Sequence, residues 1–390
     1  MRIIATGDLH IDDKASLAGQ SPLDRATGEP LVLVQARRTL AWIAHEARER
    51  SVDLILIAGD LYERPKPSPA SEAVAAAWLS GLCEVAPVVL LLGNHDRGNG
   101  PEAHALEPLK HLRPGRLVVL DRPEPVEMAG AVIYPLPYPS RSYIAASSSS
   151  PEDTAARMSR ALDEIMLAHS AAARLRQDAT TILLGHGTLR GAAYNEYQTV
   201  PLSDLQIGCD HFQAFDLAVW GHLHKRQRAP GCAWAGEPTV EFTHGYVGSP
   251  MRQDFGEEGE PHGISILDDA SGVWRCEFVV NPTDREFRTI AADEFLHFAQ
   301  VYPDQIVRVV GETSPEDYDR VAQKVRALKA SGIVIANNCQ VIRPDRARVA
   351  MARGDLGLEQ VLRAACESRE DLKPHADVIV ARARALEGVG

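Results

Sequence analysis

Leu217-Ala218-Val219-Trp220, followed at once by Gly221-His222-Leu223-His224, is one of five places where a short apolar run ends in glycine and a metal-type ligand. Ile3–Thr6 leads into Gly7-Asp8-Leu9-His10, and Leu54–Ala58 into Gly59-Asp60. Val88–Leu92 precedes Gly93-Asn94-His95-Asp96, and Thr181–Leu184 precedes Gly185-His186. Unbroken runs of this length, rich in Ile, Leu and Val, predict strands buried on both faces. Helical stretches separate them. Leu31–Arg50 carries the helical period, Ser68-Pro69 supplies a cap and first turn for a helix to about Cys83, and Ser150-Pro151-Glu152-Asp153 opens a helix to about Arg176. Strands alternating with helices predict an α/β architecture, in which ligands gather at the carboxyl ends of the strands. Every one of the five ligand runs sits at such an end.

The texture changes after Trp220. Val240–Val247, Gly263–Leu267 and Val273–Val280 carry strand signals with turns between them, so the first domain is expected to finish as a β-rich half near residue 280. Beyond Asn281-Pro282 comes a compact β-α-β pattern. Gln305–Gly311 is strand-like, Ser314-Pro315-Glu316-Asp317 caps a helix to about Ser331, and Gly332 stops it before the strand Ile333–Ile342. Residues 281–345 are therefore expected to form a small second domain. Residues 346–390 are expected to be a polar linker followed by helices. Leu358, Val361, Leu362 and Ala365 mark one, and Ile379, Ala383 and Leu386, after Pro374, mark another.

Composition narrows the function classes. The 390 residues are 45% hydrophobic and 24% charged, ordinary for a folded chain with one large core. The opening MRIIATGDLH enters a strand directly, so no secretory leader is read there. No stretch approaches the roughly 18 unbroken apolar residues of a membrane span, and cytoplasm is the expectation. Cys83, Cys209, Cys232, Cys276, Cys339 and Cys366 are scattered without a CxxC pair, which argues against a disulfide framework or a thiolate metal site. The net charge of −12 speaks against a chain that grips DNA unaided, since such binding rests on Lys and Arg neutralising phosphates.

Asp8, His10, Asp60, Asn94, His186, His222 and His224 offer seven nitrogen and oxygen donors at the ends of five strands. That set suits two divalent ions about 3.5–4 Å apart, with positions left for water and substrate. Such a pair needs one bridging carboxylate, and Asp60 suits the role. Imidazole with carboxylate and no thiolate points to manganese, iron or zinc rather than calcium. The glycine before each ligand is expected to let the chain turn sharply off its strand and let neighbouring loops converge. His95 is then the surplus histidine of its loop, placed to protonate a leaving oxygen. A carboxylate partner would keep it charged beside two cations. Glu63 and Asp96 are the candidates, with Glu63 preferred as that partner and Asp96 as the residue that holds the loop.

The motifs GDLH, GDLYE, GNHD, GHG and GHLH, in this order over about residues 1–280, resemble the calcineurin-like metallophosphoesterase superfamily. That resemblance implies a two-sheet α/β sandwich flanked by helices, and phosphoester hydrolysis. RIIATGDLHI, AGDLYERPKPS, WGHLHKRQ and YVGSPMRQDFGE look like the SbcD-type DNA repair nucleases in particular. Carried over by position, the resemblance implies one ion on Asp8, His10 and His224 and a second on Asn94, His186 and His222. Asp60 would bridge them, with His95 as the catalytic histidine. It further implies manganese (with iron, zinc or magnesium as alternatives), a homodimer, DNA as substrate, and no membrane. A capping domain and a C-terminal segment docking on an SbcC-type coiled-coil ATPase would follow the core, at residues 281–345 and 346–390. The chain departs from the pattern in the loop Ile11–Pro30 and in carrying Glu at position 63. The rival readings are a small-molecule phosphodiesterase, which needs no extra domain, and a non-catalytic scaffold, which would lack a ligand.

Overall fold

The computed structural model describes residues 1–98, 103–139, 151–193, 205–231, 244–270, 272–297, 299–302, 304–341, 360, 362–363, 366 and 372–387. In chain order the strands are β1 (Arg2–Thr6), β2 (Leu54–Ile57), β3 (Val88–Leu91), β4 (Leu117–Leu120), β5 (Val126–Met128), β6 (Ala131–Leu136), β7 (Thr180–His186), β8 (Thr188–Leu189), β9 (Gln206–Ile207), β10 (Leu217–Gly221), β11 (Gln227–Arg228), β12 (His244–Tyr246), β13 (Gly263–Asp268), β14 (Arg275–Val280), β15 (Phe287–Ala291), β16 (Ile306–Thr313) and β17 (Val334–Val341). The helices are α1 (Leu31–Glu49), α2 (Pro69–Val85), α3 (Pro151–Arg174), α4 (Ala292–His297), α5 (Pro315–Ala330) and α6 (Ala376–Glu387).

Two six-stranded sheets carry the architecture. One has the order β14-β13-β1-β2-β3-β4 and the other β11-β12-β10-β7-β6-β5, with parallel pairing at the centre of each. The side-chain period of two explains why the central strands are apolar throughout. Ile3, Ala5, Leu54, Leu56, Val89 and Leu91 face Ile133, Ile182, Leu184, Leu217 and Val219 in the layer between the sheets. Their neighbours Ile4, Ile55, Ile57, Val88 and Leu90 point the other way, under Leu40, Ile43 and Ala47 of α1 and Leu79 and Leu82 of α2. On the far side Leu183, Ala218 and Trp220 pack with Leu162 and Met166 of α3. The result is helix, sheet, sheet, helix. The five ligand-bearing strands divide between the sheets, β1, β2 and β3 in one and β7 and β10 in the other, so their carboxyl ends converge from both.

Helix ends follow local chemistry. Ser68 accepts from the Ser71 N–H at 3.2 Å and Pro69 takes the first turn of α2. Two further strands, the edge strand β4 and β6, escape the sequence reading because neither ends in a ligand-type residue, and β6 contains Pro135. The expected strand from Val240 is described only at His244–Tyr246, and Ala145–Ser150, the linker from Arg343, and Leu358, Val361 and Ala365 of the first tail helix lie outside the described residues. The second tail helix is α6.

Two compact units divide the chain. The first is Met1–Thr289 with Val301–Arg308 and Leu328–Ala336, and it contains both large sheets. The second is Ile290–Gln300, Val309–Ala327 and Asn337–Gly390. Within it the Lys324 ammonium sits 4.6 Å over the Phe295 ring. In the first unit the loop after His10 is tied down by Asp12, a buried carboxylate paired with Arg64 at 2.6 Å, and by Leu17 in a cluster with Leu31, Phe287, Ile306 and Val334. Among the described residues Cys83, Cys209, Cys276, Cys339 and Cys366 are free thiols, and no helix is long and apolar enough to cross a membrane.

Candidate metal centre

The loops after β1 and β2 zip together through backbone bonds. Asp8 N donates to Gly59 O at 3.0 Å, and Leu9 N and His10 N both donate to Asp60 O, at 2.9 and 3.1 Å. The chain leaves these strands through the ligand-type residues themselves. Asp8, His10, Asp60 and His222 have φ of 52°, 45°, 49° and 101°. That region is costly for most side chains but less so for Asp, Asn and His, and such strain gathers at functional sites.

The glycines therefore serve the convergence of loops expected of them rather than the sharp turn. Of those preceding the ligands only Gly59 has positive φ, at 92°. Their common property is close approach. A Cβ at Gly93 would lie 2.1 Å from Asp60 Oδ1, one at Gly59 2.3 Å from His186 Nδ1, and one at Gly221 2.0 Å from Ala58 O. Gly93→Ala is expected to destabilise by about 1–3 kcal/mol through overpacking against Asp60, seen as a fall in melting temperature. An unchanged melting temperature would show that this loop yields freely.

All seven ligand-type residues meet at one place. Asp8, His10 and His224 offer atoms within 4.8 Å of one another, and so do Asp60, His186 and His222. Asn94 Oδ1 lies 2.9 Å from His186 Nε2 and 2.8 Å from His222 Nδ1. Asp60 stands between the groups, with Oδ2 3.3 Å from His186 Nε2 and 3.8 Å from His10 Nε2. Burial works against charge on Asp60, but His186, His10 and His95 hold its carboxyl far below the ordinary range. Asp8 is fully buried and accepts the His222 N–H at 2.9 and 3.1 Å. The segment carrying His186 is pinned behind the site, where Gly187 O accepts from Trp220 Nε1 at 2.8 Å and from the Tyr246 hydroxyl at 2.9 Å.

The outer hydrogen bonds decide which ring nitrogen faces inward. His186 Nδ1 lies 2.7 Å from Ala58 O, which can only accept, so Nδ1 carries hydrogen and Nε2 is presented to the site. His10 Nδ1 is 2.8 Å from Glu63 Oε2, and His224 Nδ1 is 2.5 Å from Glu257 Oε1. As a consequence His10 Nε2 and His224 Nε2, two acceptors, face each other at 3.0 Å. His186 Nε2 and Asn94 Oδ1 do the same at 2.9 Å. Each pair repels unless a positive charge, proton or metal, lies between. The donor set thus fits two cations, one on each side of Asp60. Proximity to Asp60 and Asp8 already carries His186 up to about 9 against the opposing effect of burial.

The three further residues read from the sequence are also here. His95 N donates to Asp60 Oδ1 at 2.8 Å, and its ring lies edge-on to His10 with centroids 4.7 Å apart. His95 Nδ1 bonds the main-chain carbonyl of Glu63 at 2.8 Å, while the Glu63 carboxylate stands 3.7 Å from that nitrogen and bonds His10 instead. Burial would raise the Glu63 carboxyl, but the bond to His10 and the charges of His10 and His95 hold it below the usual range. Asp96 is fully buried and ties two loops, accepting from Tyr62 N at 3.0 Å, Gly93 N at 3.1 Å and Leu61 N at 3.4 Å. Burial and the neighbouring Asp60 push it up to about 7. Sequence reasoning passed over Glu257, which closes the stretch YVGSPMRQDFGE. A separate group, His104, Glu107 and Asp121, is cross-linked by Lys110 Nζ at 2.7 and 2.8 Å to the two carboxylates and is an ion-pair network.

A family profile described as Calcineurin-like phosphoesterase matches residues 1–226, more than half the chain. The chain is 25% identical over 290 residues to the SbcD subunit of the nuclease SbcCD of Bacillus subtilis strain 168, covering 70% of this chain and 67% of that protein. Among solved structures it resembles GAP50, the anchor in the inner membrane complex of Plasmodium, with 13% identity, a TM-score of 0.41, and 72% of this chain and 84% of that one covered. TT1561 of Thermus thermophilus superposes with 13% identity and a TM-score of 0.38, over 71% of this chain and 98% of that one. The chain belongs to the calcineurin-like phosphoesterase family and is a metal-dependent hydrolase of phosphoester bonds.

Proposed function

We propose that this hydrolase is a DNA nuclease of SbcD type. The observation that carries the reading is the likeness to a nuclease subunit over 70% of the chain, a span that must run beyond the 226 residues matching the family at large. The net charge of −12 supports a nuclease that takes its DNA affinity from a partner; the partner proposed is an SbcC-type coiled-coil ATPase, and the nuclease is proposed to work as a homodimer.

In this reading Asp8, His10 and His224 hold one divalent ion, Asn94, His186 and His222 hold a second, and Asp60 is shared. The inward-facing nitrogens and the two facing acceptor pairs support that division. Manganese is the proposed metal. A bound pair supplies Lewis acidity to the phosphoryl oxygens and to the attacking water. His95, held by the Glu63 carbonyl through Nδ1, keeps Nε2 for proton transfer to the departing sugar oxygen. Glu63 orients His10 with its carboxylate and His95 with its carbonyl, and Asp96 holds the two loops together. Residues 281–345 are assigned to a capping domain and 346–390 to a linker and docking tail.

The test is hydrolysis by the full-length protein with and without manganese, on duplex and hairpin DNA and on a cyclic nucleotide. Manganese-dependent cutting of DNA, stimulated by the ATPase and ATP, is expected. Turnover of the cyclic nucleotide with no cutting of DNA under any of these conditions would make the protein a small-molecule phosphodiesterase.

A further inference from the structure

One buried carboxylate at the metal centre has no part in the roles above. Glu257 is 2% exposed and ends a single 3-10 turn, Phe255–Glu257, begun by Asp254, whose Oδ1 accepts from Gly256 N at 2.6 Å. Its Oε1 lies 2.5 Å from His224 Nδ1, and its Oε2 accepts from the backbone N–H of Gln253 at 2.8 Å. His262 Nε2 stands 3.7 Å from the same Oε2. His262 Nδ1 is 2.8 Å from Ser249 Oγ, and Ser249 N donates to the His224 carbonyl at 3.0 Å. His224 is thus held by its imidazole, through Glu257, and by its backbone, through Ser249 N. A carboxylate costs several kcal/mol to bury unless it is paired and hydrogen-bonded, and here the pairing partner is a ligand-type histidine.

We infer that Glu257 is a positioning residue for the cation at His224. It fixes hydrogen on Nδ1 and the orientation of the ring, so that Nε2 is presented opposite His10 Nε2. This rests on the two-metal reading above. The geometry makes an unusual demand on the side chain, because both oxygens of Glu257 face N–H groups. A glutamine of the same shape must turn its NH2 toward one of them. The Gln253 amide cannot change its hydrogen, but the His224 ring can. Glu257→Gln therefore places a donor on Nδ1 and moves the ring hydrogen to Nε2, the atom meant to hold the ion. A role in packing alone would tolerate this isostere.

The experiment is calorimetric titration of manganese into the metal-free full-length protein. Wild type should take up two ions, and His224→Ala should weaken one. Glu257→Gln should weaken that same ion by about 10–100-fold and leave the other within about threefold. The double variant Glu257→Gln with His224→Ala should bind no worse than His224→Ala alone, since Glu257 acts through that ring. Wild-type binding by Glu257→Gln, or losses that simply add in the double variant, would overturn the inference. If His224→Ala leaves two ions bound at wild-type strength, the two-metal reading fails and the inference falls with it.

Discussion

The His95→Asn protein is expected to hold both divalent ions as wild type does and yet hydrolyse phosphodiesters about 10²–10⁴-fold more slowly, the usual contribution of a general acid. His95 meets the site in two ways that separate under this substitution. Its backbone N–H donates to Asp60 Oδ1 at 2.8 Å, and asparagine keeps that bond. Its ring is fixed by the Glu63 carbonyl and stands edge-on to His10, and asparagine carries no proton to give from that position. Turnover measured alongside manganese content decides the matter. A variant that loses one ion shows that His95 is a ligand. A variant that keeps nearly full turnover shows that the proton comes from elsewhere.

Asp60→Asn should do what no other single ligand change does and weaken both ions together, by more than about 100-fold each, with turnover falling to background. Asparagine is the informative choice because Asp60 has φ of 49°, a conformation that Asn tolerates and Ala does not. The backbone then stays, and His95 N–H keeps an oxygen to bond. The group facing His186 and His10 becomes an NH2, a donor where a shared anion stood. His224→Ala should weaken mainly one ion. Equal losses of both ions in the two variants would remove Asp60 from its place between the clusters.

How far the sequence could be read follows from what burial does to it. β1, β2, β3, β7 and β10 are covered on both faces, so their apolar runs are continuous and their ends unmistakable. Helices α1, α2 and α5 announce themselves by periodicity and by Ser-Pro starts. β6 is as fully buried but ends in no chemistry, β4 is a half-buried edge strand, and nothing marked either. At the site, residue identity marked the ligand-type residues but not the directions of their side chains. After a residue in the left-handed region the chain's heading is set by tertiary contacts, so the Glu63 carboxylate, expected at His95, bonds His10 at 2.8 Å and stands 3.7 Å from His95 Nδ1. Glu257 was hidden for a related reason. It comes 33 residues after His224, in a turn with no strand before it, and only the folding back of the 249–262 segment brings the two within 2.5 Å.

His10 and His224, whose Nε2 atoms face each other, are separated by 214 residues. A growing chain with only the first sheet's loops made can offer Asp8, His10, Asp60 and Asn94, but not the imidazoles that close either cluster. Long-range closure of this kind is slow and comes late. Free cations therefore have little hold on partly synthesised or half-folded protein, and their binding energy is drawn almost wholly to the finished state. Hydrolytic competence would then switch on once, at the end of folding, and vanish with the first cooperative loosening of either sheet.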